Sequence, residues 1–213
     1  IVGGVVTLRE KLRWFDNQPL FGKKIVVTRT RKQSSKLSQQ LRRLGAAVIE
    51  FPTIEIQPEQ DLSRLETAIR NLRGFAWIFF TSQNAVAIFF DRLFSLGLDV
   101  RALAAVKIAA IGPATGDELI KYGLKPDLVP KEFVAESLLE TAGSLQLAGT
   151  KVLLPCAREA RSVLFDGLQK LGATVERIHI YETVKPGNIE PETIASVQEA
   201  DLVTFTSSST ARN

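Results

Sequence analysis

Apolar and polar positions along this chain follow two periods in turn. Short, wholly apolar runs such as Ile25-Val26-Val27 and Val152-Leu153-Leu154 have the texture of strands buried on both faces. The first leads into a segment with apolar residues at Leu37, Leu41 and Leu44, the spacing of one side of a helix. Gly45 then stands where the left-handed residue closing a helix belongs, and AAVIEF (46–51) resumes as a strand. The rhythm continues through WIFF (77–80), a helix from about Ser82, KIAAI (107–111), a helix from Pro113, DLVP (127–130) and a helix across VAESLLETAG (134–143). Repeated alternation of this kind predicts an α/β protein with parallel sheets and helices on both faces, in two similar lobes.

The two lobes follow from an internal repeat. Residues 22–48 align without a gap on residues 149–175 at an offset of 127, with ten identities in 27 positions, Gly22, Lys24, Arg31, Ser35, Leu37, Leu41, Leu44, Gly45, Ala46 and Val48. Chance would give about one or two. GFAWIFFTSQNA (74–85) likewise matches EADLVTFTSSST (199–210) at an offset of 125. The first copy goes on into a helix, the KIAAI strand and the GPAT turn, and the second stops at Asn213. The repeat therefore predicts that the parent chain continues for roughly fifty residues, with a second Gly-Pro-x-Thr-like turn, and that the 213-residue chain is poorly active and poorly ordered at 207–213.

Composition narrows the chemistry. The chain has 213 residues, 45% of them hydrophobic and 23% charged, enough for real cores. Its formal charge of +4 is too mild to argue for nucleic acid and suits an anionic small molecule. A single cysteine, Cys156, excludes an internal disulfide framework and points to a reducing cytoplasm. The one histidine, His179, has no ligand-spaced companion, so no metal site is expected. No apolar run is long enough to span a membrane, and the absence of methionine implies that the reading frame begins upstream.

In parallel α/β sheets ligands bind at the carboxyl ends of strands. Four junctions therefore stand out: Thr28-Arg29-Thr30-Arg31; Thr81-Ser82-Gln83-Asn84; Gly112-Pro113-Ala114-Thr115; and Pro155-Cys156-Ala157-Arg158 with Arg161. Each residue type has a plain structural use, since Ser, Thr and Asn cap helices, Pro suits a first turn and Gly a tight bend. Four such junctions on one side of the sheets would nonetheless gather helix-terminal amides and arginines into a surface suited to carboxylates or phosphates. Neither GxGxxG nor GxxxxGK[ST] occurs at a strand-to-helix junction, which argues against adenine nucleotides. Nor does any Ser-His-Asp set or close carboxylate pair present itself.

The order and spacing of KIVVTR, FTSxNAV, AAIGPATGDEL, KVLLPxAREARxxL and HIYETV resemble uroporphyrinogen-III synthase over residues 21–213. The opening IVGGVVTLREKLRWF is similar to the closing segment of uroporphyrinogen-III C-methyltransferase, which implies a fused methyltransferase domain in the parent chain. The resemblance implies two flavodoxin-like lobes joined by a two-stranded β connection, with substrate in the cleft between them. On that pattern residues 1–21 are a methyltransferase tail and linker, residues 22–52 join 184–213 in one lobe, and residues 53–183 form the other, with FPTIEI and HIYETV at the crossing.

The implied reaction closes hydroxymethylbilane, a linear tetrapyrrole polycarboxylate, to uroporphyrinogen III. Water is lost, the last pyrrole ring is inverted and no cofactor is used. Holding that ring for attack at its substituted carbon is the main catalytic task. Thr28, Arg29, Arg31, Thr81, Ser82, Gln83, Asn84, Gly112, Pro155, Arg158, Arg161, Ser207, Ser208 and Ser209 are the expected substrate-binding positions. Tyr181 and Thr115 match positions the family treats as functional. Tyr181 would donate to the departing hydroxyl or simply pack the hinge, and Thr115 would bind a carboxylate or cap a helix. Cys156 and His179 read as structural. Two other functions fit the pattern: a two-lobed binding module for an anionic small molecule, and a flavin-binding electron carrier with TSQNA cradling a phosphate.

Overall fold

The computed structural model describes Arg13 and residues 16–28, 31–187 and 191–205, with the backbone alone for residues 31–35 and 191. In chain order the elements are β1 (Lys24–Val27), α1 (Arg31–Arg43), β2 (Ala47–Glu50), β3 (Glu55–Pro58), α2 (Ser63–Arg70), β4 (Trp77–Phe80), α3 (Gln83–Ser95), β5 (Lys107–Ala110), α4 (Pro113–Lys121), α5 (Ala135–Ala142), β6 (Lys151–Ala157), α6 (Val163–Lys170), β7 (Thr174–Val184), α7 (Pro191–Gln198) and β8 (Leu202–Thr204). DLVP, expected as a strand, contributes only one bridge, Ala109 to Leu128. Pro130 closes the run too soon for a ladder. No helix among the described residues is long and apolar enough to cross a membrane.

The chain divides into two units, Ile1–Glu55 with Val184–Asn213, and Ile56–Thr183. It passes between them twice, at 55/56 and 183/184, next to or within the neighbouring strands β3 and β7. The sequence pattern put the first crossing at 52/53.

The second unit is built on a five-stranded sheet in the order β3-β7-β6-β4-β5. Strand β4 shows why the apolar runs carry no polar partner residue. Ile78 and Phe80 join one core layer, with Leu65 and Ile69 of α2, Val86, Phe89 and Phe90 of α3 and Leu119 of α4. Trp77 and Phe79 point the other way, into a layer with Leu138 and Ala142 of α5 and Leu164 and Leu168 of α6. A strand between two helical layers must be apolar at every position. Phe79, Phe80, Phe89 and Phe90 are wholly buried, each stabilising the fold by roughly 1.5–3 kcal/mol. Phe80 meets Phe89 edge to face at 5.4 Å, and Phe90 stacks on Tyr122 at 4.2 Å.

The first unit carries a three-stranded parallel sheet, β2-β1-β8, with Ile25↔Leu202 and Ile25↔Val48 in register. Lys23 and Lys24 tie the start of the central strand to the residues before β8: the Lys24 amide donates to Asp201 at 2.7 Å, and the Lys23 and Lys24 ammonium groups pair with Asp201 and Glu199 respectively. Its arrangement matches the centre of the other sheet step for step. The Ala47 amide donates to the Lys23 carbonyl at 2.8 Å, and the Thr174 amide to the Thr150 carbonyl at 2.8 Å, 127 residues on. Gly45 (φ +92°) and Gly172 (φ +84°) close the equivalent helices in the left-handed conformation, where a Cβ would be strained. Each allows the same return bond, Ala46 N–H to Leu41 C=O at 3.0 Å and Ala173 N–H to Leu168 C=O at 3.2 Å. β8 lies beside β1 as β4 lies beside β6.

Candidate functional site

The loops at the carboxyl ends of β4, β5 and β6 gather the polar side chains of the second unit. Thr81 follows β4, and Ser82 caps α3, accepting from the Ala85 amide at 3.0 Å. The Ser82 hydroxyl also lies 2.8 Å from the phenol of Tyr181, 99 residues away. The Asn84 side chain hydrogen-bonds the same phenol. Tyr181 is 5% exposed. Burial raises its pKa, against the smaller pull of the Ser82 and Asn84 hydrogen bonds, so the phenol stays protonated near neutral pH.

A bulge brings Tyr181 to this position. The β6–β7 register runs Leu154↔Arg177, Pro155↔Ile178 and Cys156↔His179, then shifts to Ala157↔Tyr181. Strict alternation would turn Arg177, His179 and Tyr181 to one face. The extra residue leaves Ile180 and Tyr181 both in the layer packed with α3.

At the end of β5, Gly112 is the N-cap of α4 and Pro113 its first residue. A Cβ on Gly112 would stand 2.9 Å from that of Phe133, so glycine lets this ring, itself 59% exposed, close over the turn. Thr115 is 3% exposed. Its amide returns to the Gly112 carbonyl at 3.1 Å. The helix is capped by Gly112, and no side-chain hydroxyl takes part in that cap.

The other candidates differ in what already occupies them. Thr28, 2% exposed, donates to the Thr204 carbonyl at 2.6 Å, while Thr204 donates to Val26 at 3.0 Å; the pair stitches β1 to β8 and spends the Thr28 proton inside the first unit. Pro155 lies within β6 and is buried, because the strand runs on through Pro155, Cys156 and Ala157, the first three residues of the expected turn. It fits there because β4 pairs with β6 only at Val152 and Leu153, so no partner on that side needs its missing N–H. Arg158 forks onto Glu59 through Nε at 2.9 Å and through Nη2, with Glu182 at 3.6 Å. Arg161 pairs with Glu136 at 3.2 Å. Thr81, Gln83 and Asn84 are half-buried around the start of α3. Arg29, Ser207, Ser208, Ser209 and the side chain of Arg31 lie outside the described residues.

Two residues that no sequence signal marked belong to this edge of the sheet. Glu59 follows β3 and occupies Arg158. Arg177 lines a cavity of about 120 Å³ with Thr81, Ile111, Ala135, Leu154, Cys156, Ala160, Arg161 and Leu164. Burial pushes the Cys156 thiol up, opposed by its hydrogen bond to Arg177. His179, beside them, is held below the usual imidazole range by burial and then by Arg177. Among the described residues no group of three His, Cys, Asp or Glu is placed to hold a metal.

Parallel sheets in two units, with protonated hydroxyls and arginines gathered at the strand ends, define a two-lobed α/β protein of flavodoxin-like type. A family model described as uroporphyrinogen-III synthase HemD matches residues 35–213. The chain is 38% identical over 199 residues to a uroporphyrinogen-III synthase of Synechococcus elongatus, covering 92% of this chain and 75% of that one. It is 37% identical over 211 residues to a porphyrin biosynthesis protein HemD of Ruminiclostridium josui, covering 98% of this chain but only 42% of the relative's length. A crystal structure of a mutant uroporphyrinogen III synthase from the extreme thermophile Thermus thermophilus shares the fold, with a TM-score of 0.61 at 19% identity, over 90% of this chain and 75% of that one. The chain belongs to the uroporphyrinogen-III synthase family.

Proposed function

We propose that this chain carries out the family's reaction, closing hydroxymethylbilane to uroporphyrinogen III in tetrapyrrole biosynthesis, with Tyr181 as the proton donor and Thr115 as a carboxylate anchor. The observation that carries the reading is the chain of hydrogen bonds from a helix terminus to a buried phenol. The Ala85 amide donates to Ser82 Oγ, and Ser82 Oγ lies 2.8 Å from Tyr181 Oη. Either hydroxyl can donate in that contact; in the proposed mechanism Ser82 gives its proton to the phenol oxygen and the phenol's own proton faces the substrate. Each donation polarises the next.

Loss of hydroxide from the substrate needs a proton on the leaving oxygen. A positioned phenol lends it, water departs, and the phenol recovers a proton when the closing pyrrole carbon loses its own. Protonation and charge therefore balance at this one atom. The half-buried Thr81, Gln83 and Asn84, the amides at the starts of α3 and α4, and the Thr115 hydroxyl supply donors for substrate carboxylates. A methyltransferase domain in the same polypeptide and a reducing, cytoplasmic setting complete the proposal; residues 1–15 and the lone Cys156 are their supports.

The test feeds hydroxymethylbilane to the full-length protein and separates isomers I and III. Isomer III from wild type, and a shift toward spontaneous isomer I for Tyr181→Phe, is the expected result. Isomer I alone from the wild type refutes the proposal.

A further inference from the structure

We propose that the cavity beside Arg177 is a subsite for one carboxylate-bearing side chain of the substrate, a proposal that rests on the cyclase reading above. The cavity lies on the face of the sheet covered by α5 and α6, opposite the face that holds Tyr181.

Size and lining suit such a group. At about 120 Å³ the cavity is close to the engineered 150 Å³ cavity that binds benzene. Its walls of Ile111, Ala135, Leu154 and Leu164 match methylene carbons, and its polar atoms are few. A short alkyl chain ending in a carboxylate has this division.

Charge points to an anion. The Arg177 guanidinium donates through Nη2 to the Ala160 carbonyl and lies 5.8 Å from the Phe165 ring. Its Nε is buried without a hydrogen-bond acceptor, and no carboxylate among the described residues pairs with it. A buried cationic donor left in this state is stabilised by an arriving anion that accepts from it. Cys156 does not fill that role, because burial keeps it a neutral thiol. Arg161 adds positive charge at the mouth and Glu136 offsets part of it, 3.2 Å away. Nearby Glu176 is taken by Lys151 at 2.7 Å.

The experiment has two arms on the full-length protein. In the first, ¹⁵N spectra follow the Arg177 Nε–H resonance, assigned by its loss in Arg177→Gln, during titration with propionate and, separately, with neutral propanol. A saturable shift with propionate alone is expected, abolished by Ala135→Leu, which fills the cavity and keeps the guanidinium. In the second, the KM for hydroxymethylbilane is expected to rise about ten- to a hundred-fold in Arg177→Gln and in Ala135→Leu, with kcat nearly unchanged. The Ala135 variant guards against misfolding from loss of the Ala160 contact. No propionate response, or a response with unaltered KM in both variants, overturns the subsite. If wild type forms no isomer III, the cyclase reading falls, and the propionate arm still decides whether the cavity takes carboxylates.

Discussion

Arg158 and Glu59 meet fork to fork across the end of the second unit's sheet, with Nε 2.9 Å from one carboxylate oxygen and Nη2 on the other. Glu59 thus occupies the group that the sequence assigned to substrate, and if Arg158 binds substrate, Glu59 competes for it. Glu59→Gln is expected to lower the KM for hydroxymethylbilane about two- to five-fold at low salt, a gain that screening removes near 1 M salt. The pair is exposed on the arginine side, so Arg158→Ala should leave stability little changed in denaturant unfolding. An unchanged KM in Glu59→Gln would assign Arg158 to tying the end of β3 to the end of β6 across β7.

Tyr181→Phe removes one hydroxyl and keeps the ring. Turnover should fall about ten- to a thousand-fold with under about 1.5 kcal/mol lost in denaturant unfolding. Ser82→Ala removes both the helix cap and the phenol's partner, so it should destabilise more, by about 1–2 kcal/mol. Equal turnover in wild type and Tyr181→Phe would make the phenol a packing residue.

Only two tyrosines are present, Tyr122 and Tyr181, and burial raises the pKa of both. Their phenols stay neutral in the folded chain after those of the unfolded chain have ionised. The sign follows: stability is undiminished below pH 10 and declines as pH rises from 10 through the folded values. Phenolate absorbance should therefore appear at higher pH in the native protein than in denaturant, and the alkaline loss of stability should be smaller in Tyr181→Phe. Coincident native and denatured titrations would contradict this.

Gly45→Ala and Gly172→Ala should give parallel losses. Each puts a Cβ on a left-handed residue, against Gln18 Cβ at 2.9 Å in one case and Ala148 at 3.1 Å in the other. Losses of about 1–2 kcal/mol each, or roughly 2–8 °C in Tm, are expected in thermal melts. A neutral result at one site alone would break the correspondence between the two turns.

Those glycines, the leucine spacing before them and the four-residue run WIFF were legible because each is a local signal with one physical meaning. The site was less so. Tyr181 could be named, but its turn toward Ser82 depends on a bulge that the β6–β7 register imposes and that no neighbouring residue announces. Arg177 sits in ERIHIYETV as one polar residue in an alternating strand, indistinguishable in sequence from a solvated one. Glu59 meets Arg158 across 99 residues, beyond any pattern in the chain. Pro155 looked like a loop residue, and what made it acceptable in a strand was the early end of the β4 ladder.

The pairing of Ile25 with Leu202 also orders events in time. Residues 56–183 are contiguous, so the larger unit can assemble as soon as they have left the ribosome. β1 and β2 emerge before all of it yet meet β8 only after a loop of more than 170 residues has been made. Long loops close slowly, and strands that wait unpaired offer their edges to other chains. The earlier-made strand of this pair thus waits for the later one, and the ion pairs of Lys23 and Lys24 with Asp201 and Glu199 form only once β8 has arrived.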